Sequence, residues 1–137
     1  MLSNKAKYGL KALIPLGKNF DKQALLISEI SESENIPKKF LEQILLDLKN
    51  KGYLQSKSGR NGGYWLIRKP QEIYLGDVVR ILDGPLAPVQ CASLTAYAPC
   101  QDCDVETCKV RFLMKDVRDA ISNILDKRTL FDMINEK

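Results

Sequence analysis

Ser28-Glu29-Ile30-Ser31-Glu32-Ser33-Glu34-Asn35-Ile36-Pro37-Lys38-Lys39-Phe40-Leu41-Glu42-Gln43-Ile44-Leu45-Leu46-Asp47-Leu48, continuing to Ile67, is the stretch that decides the fold. Ser28 can cap a short helix that runs to about Glu34 and buries Ile30, and Asn35 with Ile36 makes a tight connection. Pro37 suits the first position of a second helix. Along that helix Phe40, Leu41, Ile44, Leu45 and Leu48 recur on one face, and Gly52 stops it. The opposite face carries Lys38, Lys39, Glu42, Gln43, Asp47 and Lys49. Two extended segments follow, Tyr53 to Lys57 and Tyr64 to Ile67. Ser58-Gly59-Arg60-Asn61-Gly62-Gly63 separates them, and its Asn-Gly step favours a turn with positive φ. This predicts a β-hairpin with a basic tip.

Upstream, Ser3 can cap a helix to about Gly17 with Ala6, Leu10, Leu13 and Ile14 on one face, and Pro15 should kink or shorten its end. A loop from Asn19 to Leu26 joins it to the short helix. Helix, short helix, tight turn, longer helix and hairpin is the order of a winged helix-turn-helix. Downstream, Leu75 to Leu82 reads as a short helix, and Gly84-Pro85-Leu86-Ala87-Pro88 breaks the chain into an irregular loop from about Asp83 to Glu106. Val110, Leu113, Met114, Val117, Ile121, Ile124 and Leu125 mark a long amphipathic helix, and Thr129 with Asp132 fits the capping of a last short one. The fold class is therefore mostly α with a small β-hairpin wing: a winged helix-turn-helix region over 1–84, a cysteine-rich loop over 85–108, and a long C-terminal helix with a short final helix over 109–137, in one compact unit.

With 137 residues the chain has room for one domain and none for a separate catalytic one. It contains no histidine, which excludes Ser-His-Asp triads, Cys-His dyads and imidazole metal sites. Neither a general base nor a substrate cleft can be named, so no enzyme is expected. No apolar run is long enough for a membrane span and no secretion signal is visible, so a cytoplasmic location is expected. The net charge of +4 conceals an asymmetry: residues 1–70 carry 13 Lys+Arg against 6 Asp+Glu, and residues 71–137 carry 8 against 11. A basic front half suits a polyanion such as double-stranded DNA. Lys38, Lys39, Glu42 and Gln43 occupy the first two turns of the longer helix, the end that reaches base edges in this motif, and Lys57 and Arg60 sit on the wing. In that reading the cations neutralise phosphates, while Glu42 and Gln43 read bases.

Cys91, Cys100, Cys103 and Cys108 all fall within 18 residues. Clustered thiols in a reducing compartment bind metal or sense redox state more often than they form structural disulfides. The spacing contains one CxxC and lacks the paired units of a zinc ribbon. On spacing alone an iron–sulfur cluster, zinc, a thiol switch and inert cysteines all stay open. The long C-terminal helix has an apolar stripe beyond what the front module needs to cover, which points to pairing with a second copy, and such a homodimer matches a palindromic operator.

Taken together, Ile36-Pro37, Phe40-Leu41-Glu42-Gln43, Gly52-Tyr53-Leu54, Gly62-Gly63-Tyr64, Leu75-Gly76-Asp77-Val78-Val79 and Asp83-Gly84-Pro85 resemble the IscR-like winged-helix transcription regulators, and the likeness covers essentially the whole chain. The resemblance implies a homodimeric DNA-binding protein whose operator affinity is gated by a 2Fe-2S or 4Fe-4S cluster, with Glu42 reading bases. It implies cluster ligands at Cys91, at one of Cys100 and Cys103, and at Cys108. Three positions depart from the pattern. Arg111 stands where the IscR type supplies a ligand histidine, Lys7 precedes Tyr8 where the NsrR type has an aspartate, and Ser58 replaces an arginine on the wing, where Arg60 is the substitute. The additional cysteine can complete an all-thiolate site. The alternative within the same fold is a cluster-free regulator of the thiol-redox or zinc-sensing kind.

Overall fold

The computed structural model describes residues 2–88, 90–94, 97–99, 101, 104 and 106–136. Along these run α1 (Asn4–Lys18), α2 (Ile27–Glu34), α3 (Lys38–Asn50), β1 (Leu54–Lys57), β2 (Gly63–Leu66), α4 (Leu75–Asp83), α5 (Lys109–Leu125) and α6 (Leu130–Ile134). Single 3-10 turns at Pro70–Glu72 and Gln90–Ala92 were not foreseen. The two strands pair antiparallel, Leu54 opposite Leu66 and Lys57 opposite Gly63. The mostly helical winged helix-turn-helix expected from the sequence is present, with its long C-terminal helix.

Ser3 caps α1 as expected, its Oγ accepting from the Ala6 N–H at 3.1 Å. The helix is not shortened at Pro15. It continues to Lys18, and the Asn19 N–H closes it on the Pro15 carbonyl at 3.0 Å. A proline near the end costs one ladder bond, and Leu16 and Gly17, both buried, anchor the last turn.

The second helix starts earlier than its serine suggested. Leu26, not Ser28, stands at the cap. A leucine side chain cannot accept, and the Leu26 N–H donates instead to the Glu29 carboxylate at 3.1 Å. The cause lies across the molecule: Leu25 exchanges two backbone hydrogen bonds with Tyr64, at 2.9 and 2.7 Å, so the chain arrives extended and turns into the helix at once. Asn35, in the left-handed region at φ 54°, ends α2. Pro37 then stands just outside α3 rather than at its first position.

Leu41, Ile44, Leu45 and Leu48 of α3 are fully buried against Leu13, Ile30 and Leu54. Burying such side chains stabilises the fold by roughly 1.5–3 kcal/mol each. Phe40, expected on this face, is 46% exposed at its edge. Its ring meets Tyr8 at 5.7 Å between centroids.

The last helix returns to this core. Tyr74 and Thr129 form a bridge, the Leu75 N–H bonds the Arg128 carbonyl at 2.9 Å, and the Leu130 N–H bonds the Ile73 carbonyl at 2.8 Å. Thr129 and Asp132 cap α6 reciprocally, as expected, and Leu130 is fully buried. Gly17 lets α6 approach α1: a Cβ there would lie 2.5 Å from Ile134 Cδ1.

Helix α5 contrasts with the rest, because none of its residues is buried. A bidentate pair ties its end to α4, Arg80 donating to the two Asp126 oxygens at 2.7 and 2.8 Å. Arg80 holds the Asp126 carboxyl below its ordinary value, as Lys5 does that of Asp47. Depressed carboxyl pKa values contribute stability that is present above the unfolded value and lost as pH falls through the folded one. The urea midpoint should therefore decline below about pH 4. Arg80→Met should flatten part of that decline while lowering neutral-pH stability by at most about 1 kcal/mol, since the pair is partly exposed. Parallel acid limbs in the two proteins would refute this.

Candidate nucleic-acid interface and cysteine loop

Because one face of α3 is locked in the core, its other face is necessarily presented to solvent. Lys38, Lys39, Glu42 and Gln43 are all exposed on the first two turns. Lys57 and Arg60, also exposed, lie on the hairpin, at the end of β1 and in the turn. Lys49 braces the two elements, its Nζ donating to Ser56 Oγ at 2.7 Å. The turn reaches positive φ at Gly59 (86°), Asn61 (60°) and Gly63 (133°). The expected left-handed Asn61 is present, whereas Gly62 is needed for space: its N–H bonds the Gly59 carbonyl at 3.0 Å, and a Cβ would lie 2.3 Å from the Lys57 carbonyl oxygen.

Gln43 is not a loose side chain. Its Nε2 donates to Asp47 Oδ1 at 2.9 Å, and Asp47 Oδ2 receives Lys5 Nζ, from α1, at 2.6 Å. The four-residue spacing of Gln43 and Asp47 was a readable helical signal, but the arrival of Lys5 had none.

Of the four cysteines, Cys91 and Cys108 are described, and Cys100 and Cys103 lie outside the described residues. Arg111 links the first two. Its backbone N–H donates to Cys108 Sγ at 3.4 Å, with Cys108 at the cap of α5, and its Nε donates to the Cys91 carbonyl at 2.8 Å. The same guanidinium lies 5.8 Å from the Tyr97 ring centroid. Two helical turns along, Arg118 Nη1 donates to the Ala92 carbonyl at 2.7 Å. Two arginines thus fasten the start of the cysteine loop along α5. In the sequence Arg111 stands out only as the absence of a histidine, and Arg118 carries no signal at all, because its partner is 26 residues away.

Comparison with known proteins agrees with this architecture. The family Rrf2, iron-dependent transcriptional regulators, matches residues 2–136. An rrf2-like HTH-type transcriptional regulator of Rhodobacter capsulatus is 42% identical, over 98% of this chain and 92% of the relative. The HTH-type transcriptional regulator CymR of Bacillus subtilis is 34% identical over 96% of this chain and 88% of its own length. The structure of that CymR, the global cysteine regulator, superimposes with a TM-score of 0.79 over 98% of this chain and 95% of the other. T. potens IscR superimposes with a TM-score of 0.76 at 28% identity, over 98% and 85%. By fold and by sequence over nearly its whole length, the chain belongs to the Rrf2 family of transcriptional regulators, which are not enzymes.

Proposed function

We propose that the protein is a homodimeric operator-binding regulator whose α3 reads the major groove and whose cysteine loop sets how tightly it binds. The observation that carries this is the two-sided α3, apolar residues fully buried on one face and Lys38, Lys39, Glu42 and Gln43 exposed on the other. Lys38, Lys39, Lys57 and Arg60 neutralise phosphates, and Glu42 and Gln43 contact base edges. Pairing is supported by α5, where Val110, Phe112, Leu113 and Ile124 stay exposed. It is also supported by an apolar trough of about 610 Å³ that α5 shares with Leu2, Leu10 and Val79. A second copy covers both, and its twofold axis sets the two α3 helices on one palindrome.

The donor set fits an iron–sulfur cluster. With no imidazole in the chain, ligation rests on sulfur from Cys91, Cys108 and the Cys100/Cys103 pair, and thiolates match iron in such clusters. Arg111 already ties Cys91 and Cys108 together, its Nε on the Cys91 carbonyl and its backbone N–H on Cys108 Sγ. Bound there, the cluster supplies sensitivity to iron and to redox state. The chain's residues transmit the loop's order: Arg111 and Arg118 fix it to α5, Arg80–Asp126 fixes α5 to α4, and α4 packs on α1 through Gly9 and Leu82.

The test is anaerobic purification with iron, sulfide and zinc analysis, sedimentation, and operator selection using the loaded and metal-stripped protein. Expected are stoichiometric iron and sulfide, a dimer at micromolar concentration, and different operator affinity in the two states. Glu42→Ala should chiefly relax sequence preference. Equal affinity in both states removes the gate, and a colourless or zinc-only protein that still responds to thiol oxidation transfers it to the cluster-free reading. A monomer, or unchanged discrimination by Glu42→Ala, removes the corresponding part.

A further inference from the structure

A glutamine amide has two faces that look alike in shape and are opposite in chemistry: Oε1 accepts one or two hydrogen bonds, and Nε2 donates two. Facing a major groove without constraint, it can turn its NH2 toward guanine, whose N7 and O6 are both acceptors. Equally, it can offer one acceptor and one donor to adenine, whose edge carries an N6 donor and an N7 acceptor. An unconstrained glutamine is therefore a poor discriminator between the purines.

Gln43 is constrained. Asp47 sits one turn further along α3 with its two carboxylate oxygens divided, Oδ1 receiving Gln43 Nε2 at 2.9 Å and Oδ2 receiving Lys5 Nζ at 2.6 Å. Lys5 belongs to α1, and α1 is packed into the core through Ala6, Leu13 and Leu16. The lysine keeps the carboxylate ionised and oriented. An ionised carboxylate only accepts, so the amide cannot reverse without setting Oε1 against a negative oxygen. One of the two Nε2 hydrogens is spent on Asp47. What Gln43 has left to show a base is one acceptor and one donor in a single orientation.

We propose that Lys5 and Asp47 are specificity-determining residues that act through Gln43, fixing its amide so that it selects adenine over guanine at one position of each operator half-site. This rests on the reading of α3 as the helix that contacts bases. Neither residue has to touch DNA. Each is a positioning residue, and its signature is a change at one base pair rather than a general loss of affinity.

The experiment is operator selection from a randomised duplex pool with the full-length, anaerobically purified protein and three variants: Gln43→Ala, Asp47→Ala and Lys5→Met. Binding is then measured to duplexes differing only by adenine or guanine at the selected position, with thermal melting of each protein alongside. The wild type should prefer adenine there by about tenfold or more, the discrimination a bidentate contact supplies. Gln43→Ala should abolish that preference. Asp47→Ala and Lys5→Met should reduce it to about threefold or less, while selection elsewhere in the half-site persists. Unchanged adenine preference in both positioning variants, with Gln43→Ala abolishing it, overturns the lock and leaves the base-reading role of Gln43 standing. Selection unaltered by Gln43→Ala overturns the underlying reading as well. Loss of selection at every position in both positioning variants, accompanied by lowered melting, overturns the proposal in favour of a structural role.

Discussion

Raising salt from 50 to 200 mM should weaken operator binding by about 10³- to 10⁵-fold. Lys38, Lys39, Lys57 and Arg60 are all exposed, and in the proposed homodimer a twofold pair doubles the set. At roughly 0.9 counterions released per phosphate neutralised, such a set gives a slope of log affinity against log salt near −7, which over a fourfold change in salt is about 10⁴. Replacing Lys38 and Lys39 together by alanine should reduce the slope by about 3 to 4, because two cations leave each protomer. The same substitutions should scarcely affect folding, since neither side chain is buried. Fluorescence anisotropy titrations at several salt concentrations supply both slopes. A wild-type slope near zero, or one that the double substitution leaves alone, would show that these lysines are a solvated helix face and nothing more.

Gly63→Ala should cost about 2–3 kcal/mol of stability and loosen the wing. Gly63 has φ 133°, a conformation L side chains rarely adopt, and a Cβ added to it would lie 2.4 Å from the Leu25 carbonyl oxygen and 2.6 Å from its carbon. Those are backbone atoms, and two hydrogen bonds between Leu25 and Tyr64 hold them in place. They cannot step aside as the end of a side chain could. Gly59 is the internal comparison: it too has positive φ, at 86°, but an added Cβ would meet nothing within 4 Å. Gly59→Ala should then cost only about 1 kcal/mol, the backbone penalty without the collision. Urea denaturation of the two variants decides the matter. Equal losses would mean that the bridge to Leu25 imposes no constraint.

That comparison marks where local reading succeeds and where it stops. The turn itself was legible, because Asn61-Gly62 carries its conformational preference within two residues. The bridge was not, because Leu25 lies in a segment that reads as plain loop and meets Tyr64 only once α1, α2 and the hairpin have packed. The same contact moved the cap of α2 from Ser28 to Leu26, overriding a serine that is a good cap taken alone. Local partners form as their spacing predicts, as in the reciprocal cap of Thr129 and Asp132 and the Oγ cap of Ser3.

The site divides in the same way. Exposure of Lys38, Lys39, Glu42 and Gln43 followed from the apolar spacing of α3, since a helix that buries one face must present the other. What holds Gln43 did not follow, because Lys5 is 42 positions from Asp47 and belongs to a different helix. In the cysteine loop the residue types were plain and their clasp was not. Arg111 and Arg118 reach carbonyls 20 and 26 residues back along the chain.

By itself, then, the amino-acid order determined the helices, the hairpin, the inward and outward faces of α3 and the clustering of thiols. These depend on periodicity and on neighbours a few residues apart, and a chain carries that information along its length. Tertiary packing decided which glycines must be glycine, where α2 begins, and which lysine and arginines orient Asp47 and the cysteine loop. Those outcomes depend on distances between segments that are remote in the chain, and such distances come into being only when one shared core brings the segments together.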